Sequence, residues 1–313
     1  MNLDNPLQTV ESLDRGRISF SLGDYFGYFT EDLDLTFLGN KDYKVSISEN
    51  SFINYPKIPK ILDIQNNKGQ DRAIIESTGY PVIQGDRIAV LSDSFISFYD
   101  IDGNLYWKKE ILSIITSLSI TQNHVLIGYL DGVCEVVSIS GSTEFIYRPG
   151  GSRIEAVYSA AISSDSQYIS IISGLDPQRF ILLQNRKGEY KSVFHFELNH
   201  EFRRSVNMYF SKDDSKVFFE STEGVNVFDI ESKSLLRLGD TGLLVNVYKD
   251  EERDLYSLLL KDMSEGFLGI LSEQNESILK KTFYGRNMFF KKNQNRYYIG
   301  TDNLIMYFEL VKQ

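Results

Sequence analysis

One pattern recurs from end to end of the 313-residue chain: a strand, a short polar turn and a second strand. It reads as "DIQNNKGQDRAII" (63–75), "DIDGNLYWKKEI" (100–111), "SISGSTEFIY" (138–147) and "QNRKGEYKSVF" (184–194), and again as "DIESKSLLRL" (229–238) and "SEQNESILKKTF" (272–283). Gly, Asn, Asp and Ser at each turn, between runs of β-branched and aromatic residues, are the chemistry of antiparallel hairpins. Ahead of the turns lies another strand pair, with starts near Tyr43, Arg87, His124, Gln167, Lys216, Asp254 and Arg296, spaced by about 44, 37, 43, 49, 38 and 42 residues. Helical periodicity is hard to find, so the chain is expected to be all-β.

Four short strands every 40 to 45 residues is the repeat of a β-propeller, whose blades bury their faces against their neighbours. Seven units account for almost all of the chain, at approximately 24–78, 80–112, 115–149, 153–198, 204–239, 243–283 and 286–312. The last unit offers only three strands, "NMFFKK", "RYYIGT" and "LIMYFELV". The strand "GRISFSL" (16–22) precedes the first unit with no blade of its own. The expectation is therefore a single seven-bladed propeller over 16–313, its seventh blade completed by 16–22 so that no sheet edge stays open, after a flexible segment at 1–15.

The repeats resemble those of seven-bladed propellers of the WD-repeat and quinoprotein-like kind. "DIDGNLYWKKEI" is similar to the Asp, Gly, Leu, Trp pattern of quinoprotein-type repeats. "GGSRIEAVYSAAIS", "SGLDPQRFILL" and "FRRSVNMYF" resemble uncharacterised spirochaete propellers that are thought to be envelope-anchored. That resemblance implies an extracytoplasmic, periplasmic or envelope-associated scaffold and brings no catalytic residues with it.

Charge and composition narrow the classes of partner. A net charge of −10 and a pI near 5.0, with no Lys/Arg-dense block, argue against nucleic acid. No run approaches the ~18 apolar residues of a membrane span, and the polar start "MNLDNPLQTVESLDRG" has no apolar signal core, though an anchor removed upstream is compatible with it. The single cysteine, Cys134 in "VCEVVSI", excludes an intramolecular disulfide and reads as a small buried hydrophobe. Usage rich in Ile, Lys, Asn, Ser, Phe and Tyr points to an AT-rich bacterial genome.

On a propeller, the loops between second and third strands and those between successive blades share one face. "GLDPQR" (174–179), "GGSR" (150–153) and "NHEFRRS" (199–205) fall on that face around one blade. They bring Arg153, Asp176, Gln178, Arg179, His200, Arg203 and Arg204 together, a basic patch suited to an acidic protein segment, because arginine presents a planar fork of donors to carboxylates. Gly174 and Pro177 would stiffen the presenting loop. The alternative is that Asp176 pairs with Arg153 or Arg179 and pins the loops. A second candidate on the same face is "NSFINYPKIPK" (50–60), with Phe52 and Tyr55 as docking aromatics unless they tuck inward.

Known chemistries find little footing. "DIDGN" lacks the spacing of a calcium loop, and His124, His195, His200 and Cys134 form no zinc pattern. Phosphate cradles and nucleophile elbows are absent from the sequence. No metal or cofactor is expected. The reading that follows is a non-catalytic scaffold, monomeric by itself, that binds another protein through the basic patch. The competing reading is a propeller glycosidase or lyase acting on an acidic glycan, with Asp176 as acid and Tyr80 or Tyr158 nearby.

Overall fold

The computed structural model describes residues 1–4 and 16–310. They build eight antiparallel sheets, in chain order. The first holds three strands, β1 (Ile18–Leu22), β2 (Tyr25–Phe29) and β3 (Leu35–Asn40). Two four-stranded sheets follow: β4 (Lys44–Ile47), β5 (Ser51–Tyr55), β6 (Ile61–Asn66) and β7 (Asp71–Glu76), then β8 (Tyr80–Gln84), β9 (Arg87–Leu91), β10 (Phe95–Asp100) and β11 (Leu105–Glu110). The fourth comprises β12 (Ile115–Ile120), β13 (His124–Tyr129), β14 (Cys134–Ser138) and β15 (Thr143–Tyr147), and the fifth β16 (Ile154–Ile162), β17 (Tyr168–Leu175), β18 (Arg179–Arg186) and β19 (Glu189–Glu197). The sixth comprises β20 (Met208–Phe210), β21 (Lys216–Ser221), β22 (Gly224–Asp229) and β23 (Ser234–Leu238), and the seventh β24 (Leu243–Asp250), β25 (Leu255–Lys261), β26 (Glu265–Ser272) and β27 (Ser277–Tyr284). The eighth has three strands, β28 (Met288–Asn293), β29 (Arg296–Thr301) and β30 (Leu304–Glu309).

The blade count is thus eight, not seven. The expected first unit, 24–78, merges two sheets that part between Asn40 and Lys44. The cause is local. Leu22 and Tyr25 are partners across a two-residue turn at Gly23 (φ +56) and Asp24, so the segment 16–22 folds back on its own successor instead of travelling to the last blade. A hairpin this short closes with little loss of chain entropy and outcompetes a distant pairing.

The last blade does receive an N-terminal segment, but an earlier one. Asn2 bridges Leu304, the Leu3 amide donates to the Asn303 carbonyl at 2.8 Å, and the Ile305 amide donates to the Met1 carbonyl at 2.8 Å. Leu3 is buried with Ile18, Phe20, Leu22, Phe29, Leu35, Phe289, Tyr298 and Ile305. Residues 1–4 are therefore tied down, and the rest of the 1–15 segment expected to be flexible, 5–15, lies outside the described residues.

The chain divides into two compact units, one of Met1–Ile111, Met263–Glu265 and Phe283–Gln313, the other of Leu112–Asp262 and Gly266–Thr282. Within each, burial is graded across the sheets. Second strands such as β13, β17, β21, β25 and β29 are buried along nearly their whole length, whereas fourth strands such as β15 and β23 are mostly exposed. This is why "YISIISGL" and "LYSLLLK" read as near-continuous apolar runs while "SLLRL" does not have to. In the second unit Phe180, Phe219 and Phe228 are stacked or tilted at 4.8 to 5.1 Å under the fifth and sixth blades. Cys134 is a free, buried thiol packed with Leu126, Val136 and Val157, and burial raises its pKa.

A charged tie joins neighbouring blades of the second unit. Lys249 on β24 donates to Asp213, in the β20–β21 turn, at 2.5 Å, and Ser215 donates to the same carboxylate at 2.9 Å. Burial pushes the Asp213 carboxyl up, but these bonds outweigh it and hold it below the ordinary range. A depressed carboxylate stabilises the fold above its unfolded value, near pH 4, and loses that contribution as pH falls through the native value. Asp213→Asn should therefore cost about 1–2 kcal/mol at pH 7, with the difference from wild type shrinking below about pH 4 in urea titrations run across pH. Leu3→Asp should lower unfolding stability by about 3 kcal/mol and speed hydrogen exchange at the Ile305 amide, a combination that a Leu3 lying loose on the surface would not give.

Candidate functional site

Three connections of the second unit meet around the fifth blade: Arg148–Arg153 before β16, Asp176–Gln178 between β17 and β18, and Leu198–Asn207 before β20. The tight reversal at Gly174 (φ +79) is required there, since a Cβ would sit 2.0 Å from the Ser152 hydroxyl oxygen. That hydroxyl donates to the Pro177 carbonyl at 2.6 Å. Asp176 adopts a left-handed backbone (φ +54), held from both sides: its amide donates to Glu201 Oε1 at 2.5 Å and its carbonyl accepts from the Arg153 amide at 3.1 Å. The Asp176–Pro177 peptide is cis.

The expected site residues gather here, but most are engaged with one another. Arg153 donates through Nε to Asp176 Oδ2 at 2.9 Å. Arg179 pairs with Glu197 at 3.1 Å, its cross-strand partner in the β18–β19 register. Arg204 meets Glu220 at 2.6 Å and stacks over the Phe202 ring at 4.7 Å. His200 meets Glu223 at 2.9 Å, and Glu223 also pairs with Arg237. Arg203 is exposed and has no ion pair or hydrogen bond among the described residues. The basic patch is therefore a lattice of neutralised pairs with one free arginine.

Gln178 is not presented at all. It is fully buried (0% exposed), and its side-chain amide donates to the Phe202 carbonyl and accepts from the Phe202 amide, both at 3.0 Å. The side chain imitates a neighbouring strand and knits two loops together. The connection is three residues long and packed down, so it presents no stiff protruding loop. Phe52 and Tyr55 also point inward: 51–55 is strand β5, Phe52 packs with Phe26, Tyr28 and Phe37, and Tyr55 joins Leu62, Ile64 and Val90. The core claimed these aromatics because β5 is a second strand with little solvent face.

The residues that sequence reasoning passed over are the acids and the apolar loop tips. Glu220 interrupts "VFFES" in a strand buried on both faces, and a carboxylate there needs partners. It is fully buried (0% exposed) and holds both the Arg204 guanidinium and the Leu244 amide, the latter at 2.8 Å. In the β11–β12 connection Leu112 is 96% exposed and Ile114 66%, and the Leu130 amide, on the β13–β14 loop, donates to the Ile114 carbonyl at 2.8 Å. Arg148 continues the run by bonding the Asp131 carbonyl at 2.9 Å and Glu155 at 3.3 Å, next to exposed Ile154. The signal was the apolar cluster "ILSII" (111–115) in a position that should be a polar linker.

One cavity lies beside these loops, and another lies in the first unit. In the second unit a small one, about 100 Å³, is lined by Phe196, Phe202, Glu223 and Asn226 among others. In the first unit a polar one of about 410 Å³ is lined by Arg17, Glu49, Asn67, Lys291 and neighbouring residues. No group of three or more His, Cys, Asp or Glu among the described residues is placed to hold a metal.

Residues 2–313 match the family model described as beta-propeller protein, and the chain belongs to that family. An uncharacterised protein of Treponema pallidum (strain Nichols) is 25% identical over 288 residues, covering 91% of this chain and 76% of the relative. Among solved structures, BamB from Moraxella catarrhalis aligns over 99% of this chain and 98% of its own with a TM-score of 0.68 at 18% identity. The dihydro-heme d1 dehydrogenase NirN aligns over 88% of this chain and 64% of its own, with a TM-score of 0.62 at 15% identity. At these identities the structures establish the fold. The Treponema relative agrees with the sequence resemblance to spirochaete propellers.

The Arg204–Glu220 pair separates structural from presented charge. Arg204→Ala should cost about 1–3 kcal/mol in urea denaturation by leaving a buried carboxylate short of a donor, whereas Arg203→Ala should change stability by less than about 0.5 kcal/mol. In the Glu220→Gln background the Arg204→Ala cost should fall by more than half.

Proposed function

We propose that this propeller is an interaction scaffold, and that its partner protein docks on the loop ends of the fourth and fifth blades. The observation that carries the reading is Leu112, almost wholly exposed beside Ile114 on one connection, with Leu130 bonded to it from the next. Large apolar side chains held on bonded loops, rather than scattered singly, are the composition of a contact core, and the polar rim would be the paired charges from Arg148 to Asp176. Arg203 is the cation left for an acidic group at the partner's edge. The contact is thus apolar at its centre, with a smaller electrostatic part than a basic patch would give.

The glycosidase reading draws no support from this geometry. Asp176 is bonded to Arg153, and the carboxylates within reach of the arginines are themselves paired. Burial and the Glu201 carboxylate raise the Tyr158 phenol above its ordinary value, the wrong direction for a nucleophile. Tyr80, in the other unit, donates to the Lys57 carbonyl.

A photo-crosslinking amino acid at position 112 or 114 should capture one partner in cells of the source organism, while the same probe at exposed Lys233 should not. Leu112→Asp with Ile114→Asp should weaken that partner's binding roughly a hundredfold, about 3 kcal/mol, at unchanged melting temperature, and Arg203→Ala should flatten its salt dependence. Equal capture at 112 and 233, or undiminished binding by the double variant, overturns the reading.

A further inference from the structure

The polar cavity of the first unit, about 410 Å³, takes no part in the contacts around the fifth blade. It lies where four segments converge: the start of β1, the β4–β5 turn, the β6–β7 turn and the end of β28. Its volume falls within the roughly 300–1,000 Å³ of small-molecule sites and accommodates one ligand of sugar size. Ile18 is the single apolar side chain on its wall, so a polar occupant is called for.

Arg17 gives the cavity its charge. Its Nη1 donates to the Asn67 carbonyl at 2.6 Å and to Asn67 Oδ1 at 3.2 Å, and no carboxylate among the described residues pairs with it. The Nε and Nη2 groups of the same guanidinium have no partner and are not sealed in the interior. Those two N–H groups lie parallel and form the edge that grips a carboxylate with two hydrogen bonds. Because Asn67 already holds the remaining corner, little side-chain freedom is left to lose on binding.

The rest of the wall decides what carries the carboxylate. Lys291 donates to Ser19 Oγ at 2.6 Å and to Glu49 Oε1 at 3.2 Å, so this lysine and Glu49 neutralise each other and Arg17 stays uncompensated. A phosphate monoester would bring a second negative charge toward Glu49, which a carboxylate does not. Asn50 and Asn293 spend their side-chain N–H groups on Asp86 at 3.4 Å and Glu31 at 3.1 Å, and their Oδ1 acceptors carry no hydrogen bond. Acceptors of that kind suit hydroxyl donors, since an ammonium would meet Lys291 and Lys292 on the same wall.

We infer that this cavity binds a small hydroxylated carboxylate of the sugar-acid type, with the carboxylate on Arg17 Nε and Nη2 and the hydroxyls toward Asn50 and Asn293. The site belongs to the first unit, and the inference does not rest on the docking reading above.

The probe is D-glucuronate, titrated into the full chain while backbone amide resonances are followed by NMR, with D-glucose and a glucose phosphate monoester as comparators. Saturable shifts at residues 16–18, 49–50 and 291–293 are expected with glucuronate, at least about tenfold tighter than with glucose, which offers Arg17 no anion. Arg17→Lys, which keeps the charge and loses the paired donors, should weaken glucuronate at least about fivefold and leave glucose unaffected, at unchanged melting temperature. Equal affinity for glucuronate and glucose, or shifts with neither, overturns the inference without needing any variant. Tighter binding of the phosphate ester than of glucuronate overturns the carboxylate assignment, and undiminished glucuronate binding by Arg17→Lys overturns the assignment to Arg17.

Discussion

The second strands of these blades have almost no solvent face, and from that constraint most of the molecule's chemistry follows. A strand covered on both sides accepts polar atoms only where a partner is built in. Glu220 is admitted because Arg204 and the Leu244 amide meet it, Lys216 because Asp229 lies at 3.0 Å, and Gln178 because Phe202 offers both a donor and an acceptor. Glu220 and Gln178 also join segments that sheet hydrogen bonds alone leave separate, whereas Lys216 and Asp229 are cross-strand partners within one blade. Burial and blade-to-blade bonding are therefore the same device, and the side chains that perform it are unavailable for recognition.

That division sets where recognition can occur. Around the fifth blade the cations that a ligand would seek are held by carboxylates from adjacent strands and loops. Exposed pairs of this sort contribute little to stability, about 0–1 kcal/mol each, but they cancel the local field. What remains available is apolar: Leu112, Ile114 and Leu130 at loop ends. Arg203 is a cation there without an ion pair among the described residues, and the contact surface proposed here uses it.

The two ends of the described chain illustrate how locality governs pairing. β1 is captured by β2 across two turn residues, and the edge of β30 is covered by residues 1–3. Covering that edge removes a row of unpaired amides and carbonyls that would otherwise invite another chain.

By itself the sequence determined the fold class, the repeat, the positions of nearly every blade after the first and the meeting of three loops around the fifth. These depend on turn residues and strand periodicity, which act over a few positions. It also offered Asp176 paired with Arg153 or Arg179 as a pin for the loop, and the structure makes the Arg153 pair. Tertiary structure decided the rest. Whether 16–22 closes the last blade or opens an eighth depended on a competition between a near and a far partner. Whether Arg179, Arg204 and His200 were free depended on Glu197, Glu220 and Glu223, brought beside them by strand register and blade packing. Whether Phe52 and Tyr55 faced water depended on which strand of its sheet carried them. A sequence records the charge and the side chain, but neutralisation and burial are properties of neighbours, and only folding assigns those.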